Sequence, residues 1–89
     1  MKFFKIKNKK IGQNNPTFII AEIGLNHNGS VTQCAKLIDQ AKLAGADAVK
    51  LQVADPEESY ARNTKSYKFF KKYSLNENEI LKLKKYADR

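Results

Sequence analysis

Glu22, Lys50 and Gln52 are the residues of this sequence whose types and spacing could do chemistry. Glu22 interrupts an apolar run rich in β-branched residues, Phe18 to Ile23, and Lys50 and Gln52 interrupt a second such run, Asp47 to Val53. Runs of this kind predict strands of a parallel sheet, the first buried on both faces. A carboxylate there calls for a partner or a task, because burying it unpaired costs several kcal/mol. Strand alternation puts Phe18, Ile20 and Glu22 on one face and Ile19, Ala21 and Ile23 on the other. Ala48, Lys50 and Gln52 likewise share a face, opposite Val49, Leu51 and Val53. The wholly apolar faces belong against helices, so the polar trio looks the opposite way, into a barrel interior or a second helix layer. Adjacent parallel strands lie about 4.8 Å apart, which lets Glu22 and Lys50 meet at the C-terminal mouth. An ammonium there suits a carboxylate or phosphate ligand. The plainer reading is a buried structural ion pair, with Gln52 satisfied by nearby backbone.

The flanking sequence predicts the scaffold. Asn26-His27-Asn28-Gly29 is a polar turn. Asn-Gly can close a hairpin, but Ser30-Val31-Thr32-Gln33 has capping-box form and opens a helix instead. Val31, Cys34, Ala35, Ile38 and Ala41 recur at helical spacing, and Gly45 is a natural stop. Strand, helix and strand within about 35 residues make a βαβ unit. Asn26 and His27 are read as ordering the loop, and Cys34 as core. Before this unit, residues 3–12 predict a hairpin, and Gln13 to Pro16 a loop. After it, Asp55-Pro56-Glu57-Glu58 reads as a loop, with Pro56 blocking strand continuation, and residues 59–73 as a long loop carrying one helix from roughly Ser66 to Tyr73. Asn76 caps a last helix with Glu79 three residues on, and Ile80, Leu83 and Ala87 form its apolar stripe.

Composition narrows the classes. Eighty-nine residues suffice for one small domain, and a net charge of +8 makes an anionic small molecule or nucleic acid worth weighing. The basic start lacks the apolar core of a secretory leader, and no apolar run approaches membrane length. The single Cys34 allows no internal disulfide and agrees with a reducing, cytoplasmic setting.

The stretch Phe18-Ile19-Ile20-Ala21-Glu22-Ile23-Gly24-Leu25-Asn26-His27-Asn28-Gly29, followed by Ala44-Gly45-Ala46-Asp47-Ala48-Val49-Lys50-Leu51-Gln52, resembles the start of the sialic acid synthase family. The helix after Leu75-Asn76-Glu77 and the leading hairpin fit too, so the resemblance covers nearly the whole chain. It implies an α/β fold: the N-terminal portion, about two βα units plus a hairpin, of a (β/α)8 TIM barrel. It implies condensation of phosphoenolpyruvate with N-acetylmannosamine or a related N-acetylated sugar, giving a nonulosonic acid and phosphate. By motif, Glu22 would steady positive charge on the enolpyruvyl carbon, Lys50 would hold phosphoenolpyruvate and Gln52 would hydrogen-bond the sugar. The intact family enzyme is a homodimer using a divalent metal, manganese or magnesium, and His27 is not read as one of its ligands. A barrel takes about 250 residues, so residues 1–89 read as an N-terminal piece. The metal-binding histidines and the antifreeze-like domain are expected in later segments, and the chain alone is expected to be inactive. Two other classes stand beside this one: a small basic nucleic-acid-binding module, suggested by lysines interleaved with aromatics over 60–73, and a non-catalytic remnant that folds on a partner.

Overall fold

The computed structural model describes residues 2–89. Its elements are β1 (Phe3–Ile6), β2 (Lys9–Gly12), β3 (Ile20–Gly24), α1 (Val31–Leu43), β4 (Ala48–Leu51), α2 (Pro56–Ser59), α3 (Lys65–Tyr73) and α4 (Glu77–Ala87). β1 and β2 form the expected antiparallel hairpin, with Phe4 opposite Ile11 and Lys5 opposite Lys10. β3 and β4 are parallel and joined through α1. Mixed α/β architecture of the predicted kind is what positions the candidate site.

Each helix starts where its cap dictates. The Ser30 hydroxyl accepts from the Gln33 amide, and Asn76 and Glu79 form a reciprocal capping box at the head of α4. α1 ends at Gly45, whose φ of +93° only glycine adopts without cost. There the amides of Gly45 and Ala46 donate to the carbonyls of Lys42 and Ala41, a Schellman closure. The core forms on one side of the sheet: Ile23, Cys34, Ile38, Leu75 and Leu83 are buried together, with Val49, Leu51 and Ile80 packed against them. Cys34 is wholly buried, and burial pushes its thiol pKa up. It is a core residue.

Three expectations need correction. The first strand is shorter than Phe18–Ile23 and is covered on one face alone. Ile20 is 55% exposed and Glu22 is exposed, because α1 and α4 both pack on the Ile23 side. Ile19 sits before the strand and is tied instead to Asp47, whose carboxylate accepts its amide at 2.8 Å and whose own amide donates to its carbonyl at 2.8 Å. Second, Asp55 to Glu58 is no loop. Asp55 caps the one-turn α2, and Pro56, read as a strand-breaker, stands at the first helical position where its fixed φ favours a start. Third, Ala87 is exposed, and Tyr86 joins the α4 stripe in its place. The Tyr86 hydroxyl donates to Asp39 of α1 at 2.6 Å, and the Arg89 guanidinium lies 3.6 Å above the Tyr86 ring.

Candidate functional site

Parallel pairing sets Ile20 opposite Ala48, Ala21 opposite Val49 and Glu22 opposite Lys50. The Lys50 ammonium lies 3.1 Å from a Glu22 carboxylate oxygen. The two side chains meet as their strand faces require. They meet in water, however, with exposures of 65% for Lys50 and 70% for Glu22. The buried ion pair considered above is therefore corrected: no element of the described residues covers this face. An exposed pair of this kind contributes about 0–1 kcal/mol to stability.

The ladder then slips. After Glu22 and Lys50 the next partners are Gly24 and Leu51, so β3 carries one extra residue, Ile23, which turns into the core. The Gln52 amide donates to the Gly24 carbonyl at 3.3 Å. Glu22, Gly24, Asn26, Lys50, Gln52 and Val53 line an open recess of about 580 Å3 at this end of the sheet. Four of the five residues singled out in the sequence thus border one recess. Gly24 borders it as well and was not singled out, although a glycine closing an otherwise β-branched strand signals a bulge. Asp47 also went unremarked. Its carboxylate receives Lys9 and the Ile19 amide, which together hold its pKa below the ordinary range.

His27 does not line the recess. It is 1% exposed. Its Nδ1 accepts the Gly29 amide at 3.0 Å, and its carbonyl accepts the Ser30 amide at 3.0 Å. Asn26 ties the same turn back to the strand, its side-chain amide donating to the Ile23 carbonyl at 2.8 Å. Gly29 lets the turn rest on the end of α3: its φ is +77°, and a Cβ there would come within 3.3 Å of the Lys72 carbonyl. Both residues hold the loop's shape.

Burial lowers the His27 pKa, an effect the Glu79 carboxylate partly offsets. The folded pKa thus lies below the unfolded value of about 6.5. Stability from this residue is complete above that value and is lost as pH falls, since the unfolded chain takes the proton first. A protein carrying this segment should therefore melt at lower temperature as pH drops from about 7.5 to about 5. Exchange of His27 for Gln should flatten that slope. Parallel slopes for the two proteins would show that His27 does not titrate as its burial requires.

Among the described residues, no three His, Cys, Asp or Glu side chains converge to hold an ion. The recess has one carboxylate, already facing an ammonium, and the imidazole is buried and engaged. These residues do not fit a metal site, so no chemical step is assigned to one here.

The NeuB family model matches residues 37–89. An uncharacterised protein of Methanocaldococcus jannaschii is 42% identical over all 89 residues, which cover 26% of that protein. Human N-acetylneuraminate-9-phosphate synthase is 38% identical over 64 residues, 72% of this chain and 18% of the synthase. Among solved structures, the N-acetylneuraminic acid synthetase of Leptospira borgpetersenii, crystallised with citrate, superposes with a TM-score of 0.88 at 38% identity. That match covers 98% of this chain and 30% of the synthetase. The spore coat polysaccharide biosynthesis protein SpsE of Bacillus subtilis gives a TM-score of 0.75 at 37% identity, covering 98% of this chain and 25% of that one. The chain spans roughly a fifth to a third of the length of these relatives.

Proposed function

The chain belongs to the NeuB family, and on that premise we propose that its β3–β4 recess is the N-terminal share of a nonulosonic acid synthase site. Named relatives in the family are sialic, pseudaminic and legionaminic acid synthases. The reaction proposed is condensation of phosphoenolpyruvate with N-acetylmannosamine or a related N-acetylated sugar, with release of phosphate. The observation that carries it is the exposed Glu22–Lys50 pair with Gln52 lining the same recess. A pair so open to water adds little to the fold, and both charges are within reach of a ligand. Lys50 binds the anionic groups of phosphoenolpyruvate by a charge-assisted contact. Glu22 faces the carbon that gains positive charge during condensation. Gln52 hydrogen-bonds the sugar. The complete reading is a TIM-barrel enzyme, homodimeric and cytoplasmic, whose divalent metal, manganese or magnesium, is held by residues outside this chain. No helix of the described residues is long and apolar enough to cross a membrane.

The test is a chimera in which residues 1–89 replace the matching segment of the Leptospira synthetase, assayed for phosphate release with manganese. Lys50→Ala should raise the Michaelis constant for phosphoenolpyruvate and reduce kcat/KM about ten- to a hundredfold, the equivalent of one charge-assisted hydrogen bond of about 1.5–3 kcal/mol. Unchanged phosphoenolpyruvate kinetics would remove Lys50 from the site.

A further inference from the structure

Resting on this reading of the site, we propose that Gly24 is a sugar-positioning residue: beside Gln52 it is a position without a side chain, and sugar reaches the carboxamide across it. Had the ladder continued in register, Gly24 would pair with Gln52 and Ile23 with Leu51. Instead Gly24 pairs with Leu51, and its carbonyl takes the Gln52 amide at 3.3 Å. At the slip Gly24 adopts φ of +59°, in the left-handed region. A Cβ built at Gly24 would point at the Gln52 carboxamide oxygen, 4.0 Å away, and meet no other atom within that distance. So no neighbouring group forbids a side chain here. The space that such a side chain would fill lies beside the carboxamide, in the recess that Glu22 and Lys50 also line. In this respect Gly24 differs from Gly29, where a Cβ would press on the α3 backbone. At Gly29 a Cβ would crowd the Lys72 carbonyl at 3.3 Å, whereas Gly24 is left with room.

The pattern of effects follows from that geometry. Asn tolerates left-handed φ better than other residues with side chains, so Gly24→Asn keeps the slip and fills the space. Gly24→Ala fills it with a single methyl group. In the chimera, Gly24→Asn should raise the Michaelis constant for N-acetylmannosamine about tenfold or more, while that for phosphoenolpyruvate stays within about twofold; Gly24→Ala should shift the same ratio in the same direction by less. A Michaelis constant does not depend on how much enzyme is active, so the ratio remains readable if either variant folds in poor yield. An unchanged sugar constant in Gly24→Asn, or an equal rise for both substrates, would overturn the proposal. If Lys50→Ala also left the kinetics untouched, the site assignment itself would be at fault. An effect of Lys50→Ala with no selective effect at Gly24 would reject this inference alone.

Discussion

Residues 1–89 by themselves are expected to unfold gradually in urea, with no sharp transition, and to release no phosphate from phosphoenolpyruvate. The packing shows why. β3, β4, α1 and α4 form one body, whereas β1 packs mainly on β2 and α2 mainly on α3. The hairpin is held to the body by ion pairs from Lys9 to Asp47 and from Lys7 to Asp88, and the two lysine side chains are largely in water. The Lys7–Asp88 pair, open to water at both ends, contributes about 0–1 kcal/mol. The sheet of the main body has two strands, so each leaves an unpaired edge. Its outer face leaves Ile20 in solvent, and Val53 just past the strand is 60% exposed. Full burial of a side chain of this size is worth about 1.5–3 kcal/mol, and each of these two forfeits roughly half of it. Against the 5–15 kcal/mol or so that separates folded from unfolded in an ordinary domain, losses of this size decide the outcome. α1 and α4 should retain helicity locally through their caps. Circular dichroism during urea unfolding, with sedimentation to read self-association, tests this directly. A steep transition in a monomer would show that the core around Cys34 and Leu83 suffices, and manganese-dependent phosphate release would show that the two-strand site works unaided.

What was legible in the sequence was local. The caps at Ser30 and Asn76, the stop at Gly45 and the hairpin over 3–12 follow from a few adjacent residues each. The pairing of Glu22 with Lys50 follows from strand parity once both strands are recognised, as does the turn of Ile23, Val49 and Leu51 toward the helices. Burial was not legible in the same way. An apolar run such as Phe18 to Ile23 records what a strand can bury, while exposure depends on whether another layer lies over it. Gly24 is the one local sign of the register slip, since parity is counted along one strand and a bulge exists only between two. Pro56 is ambiguous in the sequence because proline both ends strands and begins helices, and Asp55 as a cap settles which. Asp47 escaped notice because its partners, Lys9 and Ile19, are distant in sequence.

The proposed roles make Glu22→Gln the substitution with the largest catalytic effect. Gln keeps the size of Glu and removes the charge. Glu22 is 70% exposed and its partner Lys50 is 65% exposed, so the change neither opens a cavity nor strands a buried ammonium. The fold should register at most the loss of a solvent-exposed pair, about 0–1 kcal/mol. Catalysis has more to lose. A fixed charge aimed at the carbon where opposite charge develops acts in the transition state and hardly at all on the bound reactants. Its removal should therefore lower kcat and kcat/KM together while leaving both Michaelis constants near their starting values. Removal of one preorganised electrostatic group of this kind costs about a hundred- to a thousandfold in kcat. Lys50→Ala, by contrast, should act on the Michaelis constant for phosphoenolpyruvate. The chimera again provides the assay: initial rates of phosphate release over a grid of both substrate concentrations, with melting temperature as the control for folding. A kcat for Glu22→Gln within about threefold of the parent would be too small a loss for a transition-state contact, and would leave the carboxylate as no more than the exposed partner of Lys50.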